Sequence, residues 1–488
     1  MPLAAEQHAK EIGMKNTELY SYQFALVPDD STSLDGFESR AFGKRRLLHC
    51  PKLEVATLTD TRGANIGFCL GVAVDKVGVR VADSWQVDVE VGTDDFWDGI
   101  ETFAVDLAGR WLLLINDGSL TRIYGDAAGM YNCVYDPVKG GVGSTLLMSL
   151  LREIEESDEV DYALTLSDGM RLPFGRTRDA HARRLAVNHY LTLEDWSETR
   201  FWPKPGMLEE VPEGEELLVV AAIRDRLAAV FAGIATSIPT AVGVSGGNDS
   251  RNLVAAGKDT LGHIKRFFSW THNFNSRTDY RSAVLMMETL GFPVERHIAE
   301  PEPFTDDEIA HRNACYQRMT GYAVGLHQMY NIKMQSQPEA GEVIMTGNVM
   351  EALRAAHWKS TNPNRKGALK FGLKRCLFIT GPLFDAAFIR QWLPVYGNWL
   401  EALPPDAQKR YIDVTFVEHN LPNLGTMFFS YQDNFLLCPF NDRRIVQLCA
   451  QLPVDYRYRN DANRDFLTIA APELVDVGFA EDVRRGVA

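Results

Sequence analysis

The chain has 488 residues, of which 45% are hydrophobic and 24% charged, and its formal net charge is −15. This composition is that of a folded globular protein longer than one typical domain, which excludes disordered, fibrous and small disulfide-stapled proteins. An acidic chain lacks the general basic field that attracts nucleic acid, so we expect no nucleic-acid partner.

The cysteines and the first twenty residues indicate the compartment. The seven cysteines are odd in number and never spaced as C-x-x-C, which predicts neither a zinc site nor a disulfide framework. The N-terminal residues carry several charges and lack the apolar core of a secretory signal. The charge-free stretch 227–244 contains Pro239, which divides it into a helix end and a strand. We therefore expect a cytoplasmic protein with no membrane partner.

Short β-like runs separated by turn residues dominate the chain up to about residue 165, which is typical of a β-rich sandwich. The acidic run 89–101 among them is expected to be a solvated loop. The runs occupy 47–50, 52–58, 66–74, 79–91, 110–116, 119–126 and 131–136.

A change of pattern follows near residue 180. Residues 183–193 have a helix-like pattern, and the segment 201–220 contains three prolines and repeated acidic residues. Such a segment is typical of a crossover between domains. We place the boundary at residue 210, so that the predicted domains are 1–210 and 211–488.

The second half predicts an α/β domain. Apolar residues recur at helical spacing from Ile223 to Ile234, which predicts a helix packed on a sheet. Strand-like and helix-like segments then alternate, as they do around a doubly wound parallel sheet. The acidic run 301–310 is expected to be a loop, and the chain from residue 365 onward is expected to be mostly helical. The predicted strands are 240–244, 263–270, 292–298 and 342–346.

The strand 240–244 leads directly into Ser-Gly-Gly-Asn-Asp-Ser at 245–250, and a helix is expected to follow. Adjacent glycines let backbone amides turn toward an anion, to which the helix N-terminus and the hydroxyls of Ser245 and Ser250 can also donate. A carboxylate beside bound phosphates implies a divalent cation between them, so Asp249 is predicted to bind Mg²⁺. Six specified positions in this context favour pyrophosphate binding over an ordinary glycine-rich turn.

This loop resembles the pyrophosphate loop of the N-type ATP pyrophosphatases, and it lacks the lysine needed for γ-phosphoryl transfer. The neighbouring sequence resembles the asparagine synthetase family, including its β-lactam synthetase and lasso-peptide cyclase branches. The similar segments, in the order in which the family has them, are 107–136, 189–219, 267–297, 345–354, 438–453 and 463–474.

The resemblance implies an architecture and a reaction. The N-terminal domain would be a glutaminase-like, Ntn-type sandwich, and the C-terminal domain an ATP-pyrophosphatase with a helical end. A substrate carboxylate would react with ATP to give an acyl-adenylate, and an amine would then displace AMP. The residues expected to bind ATP are Val244, Ser245, Gly246, Gly247, Asp249, Ser250, Ser269 and Gly347.

The N-terminus departs from the family pattern. Members that take ammonia from glutamine have a cysteine directly after the initiator methionine, whereas residue 2 here is proline. Cys50, Cys69 and Cys133 cannot substitute, because an internal residue has no free α-amine to act as base. We expect no glutaminase activity and an amine that arrives on the substrate.

The segment after the strand 342–346 also differs from the family pattern. By spacing, Glu351 takes the place of the family's second Mg²⁺ ligand, although a solvated carboxylate at a helix start is the alternative. Asn348 takes the place of the relatives' catalytic acid/base, and an amide cannot accept a proton at neutral pH. The base must then come from elsewhere in the protein or from the substrate, and the unranked candidates in the protein are Tyr322, Tyr330 and His357.

A third departure lies near the C-terminus. Arg464 takes the position of a family lysine that stabilises the charge developing on the adenylate, and it keeps that positive charge. A surface arginine on a terminal helix is an equally good interpretation.

These patterns predict an ATP-dependent, AMP-forming amide ligase that closes a lactam or macrolactam on a small-molecule or peptide substrate carrying both carboxylate and amine. This reaction is typical of the biosynthesis of specialised metabolites or peptides. A biosynthetic partner protein is compatible with such a role. Two alternatives stay open: an intermolecular ligase that joins an amino acid to a separate amine, and a non-catalytic ATP-binding subunit.

Overall fold

The structure is a computed structural model of the chain. It describes residues 3–28, 32–159, 172–271, 274–298, 305–322, 341–358, 368–377, 386–428 and 434–479. Within these ranges the protein is a mixed α/β molecule with three sheets, which confirms the predicted class. None of the helices in these ranges is long and apolar enough to cross a lipid bilayer.

Two of the sheets are formed by strands that all precede residue 201. These strands are β1 Phe24–Val27, β2 Glu38–Phe42, β3 Arg45–His49, β4 Val55–Thr59, β5 Asn65–Val74, β6 Arg80–Val81, β7 Ser84–Gln86, β8 Ala108–Asn116, β9 Thr121–Gly125, β10 Val134–Asp136, β11 Gly141–Gly143, β12 Arg183–Arg184, β13 His189–Thr192 and β14 Glu198–Arg200.

The first sheet is antiparallel, with the order β12-β10-β11-β1-β3-β2. The second is mixed, with the order β14-β13-β9-β8-β5-β4-β7 and with β6 paired to β5; its β4 and β7 run parallel. Buried side chains such as Phe24 and Leu112 join both sheets in one hydrophobic cluster. Each β-like run read from the sequence up to residue 136 therefore contains strand residues, although in the run 79–91 only Arg80–Val81 and Ser84–Gln86 are strand.

The third sheet is parallel and comes from the second half of the chain. Its order is β17-β16-β15-β18-β19. After β15 the chain adds β16 and β17 on one side of that strand, and it later adds β18 and β19 on the other side. The connections therefore diverge between β15 and β18. Ligand sites of α/β proteins form at the carboxyl ends of strands at such a switch point. The strands are β15 Thr240–Gly243, β16 Arg266–Thr271, β17 Glu295–Ile298, β18 Val343–Met345 and β19 Phe435–Leu437.

The α-helices of the described residues surround these sheets. They are α1 Ala4–Ile12, α2 Asn16–Leu19, α3 Phe96–Asp106, α4 Leu146–Ser149, α5 Glu216–Ala235, α6 Asn248–Ala256, α7 Phe274–Thr289, α8 Asp306–Thr320, α9 Ala368–Leu377, α10 Ala386–Glu401, α11 Pro405–Lys409, α12 Tyr411–Thr415, α13 Leu421–Phe428, α14 Arg443–Gln451, α15 Val454–Tyr458 and α16 Asp461–Ala470.

The apolar stripe read from the sequence lies on α5. Ile223, Leu227, Val230 and Ile234 are all fully buried, because side chains spaced three and four residues apart share one helix face. The helix ends before Pro239, and β15 begins directly after it. The division of the charge-free stretch into a helix end and a strand is thus confirmed.

Buried arginines bind the N-terminal sheets to the C-terminal part. Arg443, 1% exposed, donates to the carbonyl oxygens of Ala104 and Gly125 at 3.1 and 2.7 Å. Arg226 donates to the carbonyl oxygens of Asp75 and Asp106 at 2.6 and 2.7 Å. Because carbonyl oxygens on one side satisfy guanidinium groups from the other, these polar bonds require the two parts to be docked.

Two acidic runs that were expected to be loops enter helices instead. Helix α3 begins at Phe96 inside the run 89–101, and α8 begins at Asp306 inside the run 301–310, whose first four residues lie outside the described ranges. Thr305 and Glu308 form a reciprocal capping box, with N–H to side-chain distances of 3.2 and 2.7 Å. Acidic residues favour helix N-termini, where the helix dipole is positive.

One further prediction of local structure is wrong, and one strand was not predicted. Residues 183–193 form β12 and β13 rather than a helix, and Asn188 between them has a left-handed φ of +64° that ends regular structure. Tyr190 on β13 packs against Tyr124 of the neighbouring strand, with ring centroids 5.4 Å apart. In the largely helical C-terminal part, the sequence also missed β19, a short, fully buried edge strand.

Candidate functional site

The loop 244–247 lies at the switch point of the parallel sheet, between the end of β15 and the start of α6. The N–H of Val244 donates to the Phe268 carbonyl of β16 at 2.8 Å, which fixes where the loop leaves the sheet. The Val244 side chain is buried, so only its backbone can face a ligand. Ser269, also buried, follows Phe268 directly along β16.

The loop brings two hydroxyl groups together. The Oγ atoms of Ser245 and Ser250 are 3.0 Å apart, and the Gly247 N–H points to Ser245 Oγ at 3.4 Å. Gly247 caps α6, so the unpaired N–H groups of the first helical turn are beside these hydroxyls. This cluster of donors at a helix start is a suitable anion-binding geometry.

Gly347, directly after the Thr346 that follows β18, lies against the backbone of Asp249. A Cβ atom built on Gly347 would be 2.8 Å from the Asp249 carbonyl carbon and 3.0 Å from its oxygen. Real side chains do not approach backbone atoms this closely, so only glycine allows the two segments to touch. The sequence placed both residues in one site, and the structure brings them together.

We expect Gly347→Ala to lower the free energy of unfolding by about 1–3 kcal/mol, because an added methyl group must displace the α6 backbone. Urea denaturation measures the change. Gly262→Ala is the matched control, since a Cβ there meets no atom within 4 Å, and it should stay within about 0.5 kcal/mol of wild type. Equal stabilities of the two variants would contradict the close approach of Gly347 to Asp249.

Asp249 is held by an arginine that the sequence reading did not single out. Arg354 donates from Nε to Oδ1 at 3.0 Å and from Nη2 to Oδ2 at 2.9 Å, a two-pronged ion pair. Arg354 lies at the end of the segment 345–354, which was noted only for its resemblance. Its signal was a basic residue three positions after Glu351, on the turn that carries that carboxylate.

Glu351 supplies a second carboxylate. Its Oε2 atom is buried and has no hydrogen-bond partner within the described part of the chain. Burial, and next the negative charge of Asp249, raise the pKa of Glu351 to about 7, although Arg354 opposes this rise. A buried, unsatisfied carboxylate beside another acid is a place where a cation would be stabilising.

The backbone before Glu351 is strained. Val349 is fully buried and has a φ of +73°, a conformation that β-branched residues rarely adopt. Such a residue costs about 1–3 kcal/mol and persists where the surrounding structure requires it, which is common at functional sites. Here it turns the chain directly after Asn348 into the 3₁₀ turn Met350–Ala352.

The Asn348 side chain is engaged within its own loop. Its Oδ1 accepts a hydrogen bond from the Thr346 hydroxyl at 2.7 Å, and its backbone carbonyl accepts one from the Cys438 thiol. The amide is therefore fixed at the carboxyl end of β18, and it offers no group that can take up a proton.

Arg464 is exposed, while its neighbour Asn463 faces α6, the helix that follows the loop 244–247. Asn463 donates to Asn248 Oδ1 at 2.7 Å and accepts from Asn252, so α16 packs on α6 through this asparagine. The Arg464 side chain is 64% exposed and pairs with Asp461 at 3.1 Å. Arg464 thus lies one position after Asn463, the residue that contacts α6.

Two of the three candidate bases, His357 and Tyr322, lie within the described residues. Burial, and next the charge of Arg375, lower the pKa of His357 to about 4, and its ring stacks on Phe416 at 4.1 Å. The ring of Tyr322 lies under the Arg178 guanidinium at 4.5 Å. Tyr330 lies outside the described residues, as does Pro2. A strongly lowered pKa makes His357 a weak base.

The cysteines of the N-terminal sheets are shielded. Cys50, Cys69 and Cys133 are all buried, and burial raises the pKa of the Cys69 and Cys133 thiols. A thiol that stays protonated is a poor nucleophile, so Cys69 and Cys133 are suited to packing.

Two cavities lie away from the loop. One, of about 300 Å³, opens at the amino edge of the parallel sheet, where Ile238 and Val343 line it together with Tyr22 and Phe435. The other, of about 400 Å³, is an acidic surface pocket beside α3. Neither contains a residue of the loop 244–247 or of the segment 346–354.

Comparison with protein-family models finds none that matches the chain, and comparison with curated proteins finds no match. The family resemblance read from the motifs therefore stays a prediction. What the structure contributes is the arrangement of the loop, two carboxylates and Arg354 at the switch point.

Proposed function

We propose that this chain is an ATP-dependent, AMP-forming amide ligase or cyclase of the asparagine synthetase-like class. In this proposal residues 1–210 are an inactive glutaminase-like domain and residues 211–488 are the ATP-pyrophosphatase domain. The observation that carries the proposal is the Ser-Gly-Gly-Asn-Asp-Ser loop at the carboxyl end of β15, with Gly347 and the acid Glu351 brought beside it from β18.

The phosphates of ATP would lie in the loop. Backbone amides of Gly246 and Gly247, the hydroxyls of Ser245 and Ser250 and the start of α6 provide donors for the α and β phosphates. The buried Val244 and Ser269 would shape the wall beside the nucleotide. These contacts are those of pyrophosphate binding, and no residue of the loop could bind the γ-phosphate as a lysine would.

Asp249 and Glu351 fit a Mg²⁺ ion. Two carboxylates are the number this ion takes from protein when phosphates and water complete its octahedron. Within the described residues no group of three or more His, Cys, Asp or Glu side chains could hold a metal, so an ion at these two carboxylates would also need oxygen ligands from the nucleotide. When bound there, Mg²⁺ would supply charge neutralisation for the pyrophosphate leaving group.

Arg354 would compensate charge before and during the reaction. Without a ligand its fork pairs with Asp249 and offsets the repulsion between the two carboxylates. In this proposal the guanidinium of Arg354 would turn from Asp249 to phosphate oxygens, whose geometry its planar fork fits. Arg464 is the alternative cation implied by the resemblance, although its side chain is exposed.

The chemistry would proceed in two steps. A substrate carboxylate attacks the α-phosphorus of ATP, pyrophosphate leaves, and an amine then displaces AMP from the acyl-adenylate. Since Asn348 cannot accept the amine proton, the substrate or another side chain has to take it up. We place the amine on the same substrate, which gives a lactam or macrolactam.

A second candidate function is that of a nucleotide-binding subunit without catalysis. The pairing of Asp249 with Arg354 favours it, because this ion pair occupies both carboxylate oxygens of the first metal ligand. The amide at Asn348 favours it as well.

The experiment is an ATP turnover assay with Mg²⁺, a panel of amino-acid and peptide carboxylates, and hydroxylamine to trap activated acyl groups. AMP, pyrophosphate and a hydroxamate support the ligase. Tight Mg·ATP binding without AMP for every carboxylate supports the second function, and ADP with phosphate contradicts both. Once a substrate is found, the product mass separates ring closure, which removes one water from one molecule, from the joining of two molecules.

A further inference from the structure

A second group of ionisable side chains is buried where α8 packs on the N-terminal helices, apart from the site above. His311, Cys315 and Arg318 share one face of α8, since they are spaced four and three residues apart. His8 lies on α1 and Tyr20 directly follows α2. Arg318 and Tyr20 are 0% exposed and Cys315 is 1% exposed.

Arg318 acts on Cys315, His8 and Tyr20, but it forms no ion pair with a carboxylate of the described residues. Its Nε, Nη1 and Nη2 atoms are all buried and all lack a hydrogen bond there. An arginine side chain stays protonated in proteins, so this interior contains a full positive charge. An uncompensated buried charge is strongly destabilising. The position therefore requires a counter-ion close by.

The thiol of Cys315 lies one turn before Arg318 on the same helix. Burial opposes its ionisation, but the Arg318 charge and the contact with His311, whose Nε2 is 3.6 Å from Sγ, outweigh burial and lower the pKa of Cys315. Most of the other cysteines behave in the opposite way. Burial raises the pKa of the thiols of Cys69, Cys133, Cys376, Cys438 and Cys449.

Two described groups on which Arg318 acts, His8 and Tyr20, do not supply a negative charge. Burial is the largest cause at both groups: it lowers the pKa of His8 and raises that of Tyr20, and the nearest charges oppose it only in part. Both side chains are therefore neutral at pH 7, and they hydrogen-bond each other at 3.0 Å. The negative charge of Glu11, on α1, raises the pKa of His8 and so opposes the effect of burial. Helix α4, which also packs on α8, has the sequence Leu-Leu-Met-Ser and contains no ionisable side chain.

We propose that Cys315 is the counter-ion of Arg318, present as a thiolate, and that it is a site of covalent modification by small electrophiles, hydroperoxides and alkylating agents among them. With a hydroperoxide, the sulfur attacks one oxygen, an S–O bond forms as the O–O bond breaks, and the departing hydroxide or alkoxide takes up a proton. Sulfur is oxidised by two electrons to sulfenic acid, and the hydroperoxide is reduced.

Alkylation of the native protein by iodoacetamide, followed by peptide mapping, tests this. All seven cysteines are buried, so unequal rates report differences in thiolate character. We expect Cys315 to react at least ~10-fold faster than Cys449, a thiol that is as fully buried. Arg318→Gln should slow alkylation of Cys315 by about 10-fold, and Arg318→Lys, which keeps the charge, should recover part of the rate.

Ultraviolet thiolate absorbance at neutral pH provides a second readout that needs no change at Arg318. Wild type should show one thiolate, and Cys315→Ser should lose it, whereas Cys449→Ser should keep it. Equal alkylation rates at Cys315 and Cys449, with absorbance unchanged by Cys315→Ser, would overturn the proposal. A wild-type melting temperature that rises with chloride in the absence of thiolate absorbance would also overturn it, because the counter-ion would then come from solution.

Discussion

Asp249→Asn is expected to abolish AMP formation while the protein stays folded. The change keeps the size and shape of the side chain and removes the charge that would hold Mg²⁺ against the phosphates. A lost metal ligand should reduce the rate of pyrophosphate release by at least ~10³-fold, which corresponds to several kcal/mol of transition-state stabilisation. Radiolabelled pyrophosphate release measures the rate, and a melting curve shows whether the fold is intact.

The control for this variant is Asp259→Asn, in the exposed turn Lys258–His263 that follows α6. It removes the same charge at a position beyond the opposite end of α6, and both its rate and its melting temperature should equal those of wild type. Mg²⁺-dependent ATP binding gives a readout that needs no acyl substrate, and Asp249→Asn should lose the dependence on Mg²⁺. A folded Asp249→Asn protein that releases pyrophosphate at the wild-type rate would exclude Asp249 as a metal ligand.

The parallel sheet could be predicted from the sequence because its elements have distinct periodicities. The stripe of α5, the break at Pro239 and the short apolar run of β15 each specify local structure by themselves. The segment 183–193 could not be assigned this way, because its apolar residues satisfy both periods and pairing with β9 and β10 decides between them. The acidic runs were misread because a charged stretch before a helix has the composition of a loop.

The candidate site was predictable to the extent that it lies in one continuous motif. The residues 245–250 adjoin one another in sequence, and the start of a helix after a strand is readable. The pairing of Asp249 with Arg354 spans more than a hundred residues, and no local pattern determines which side chain fills the space beside a carboxylate. The left-handed backbone conformation of Val349 could not be predicted either, since no sequence pattern indicates a strained valine.

Arg354→Gln is expected to reduce kcat for AMP formation by about 10²- to 10³-fold, with a smaller change in the KM for ATP. The reason is that a cation beside the loop stabilises charge that develops on the phosphates in the transition state more than charge already present in ATP. Arg354→Lys should recover part of kcat, because it restores the charge without the two-pronged geometry.

The same variant should change the metal-free protein. Without Arg354 the carboxylates of Asp249 and Glu351 lose the positive charge that offsets their repulsion, so Arg354→Gln should lower stability in EDTA by about 1–2 kcal/mol, and Mg²⁺ should restore it. Wild type should respond less to Mg²⁺. A melting temperature of Arg354→Gln that Mg²⁺ leaves unchanged would contradict a metal site at these two carboxylates.

Arg464→Ala separates the two candidate cations. If Arg354 is the cation at the phosphates, Arg464→Ala should keep kcat within about twofold of wild type, as an exposed arginine paired only with acids of its own helix would. Arg459→Ala is its matched control, since Arg459 is equally exposed and pairs with the same Asp461. A large loss of kcat in Arg464→Ala, with Arg354→Gln and Arg459→Ala near wild type, would instead assign the charge stabilisation to Arg464 and require α16 to move toward the loop when ATP binds.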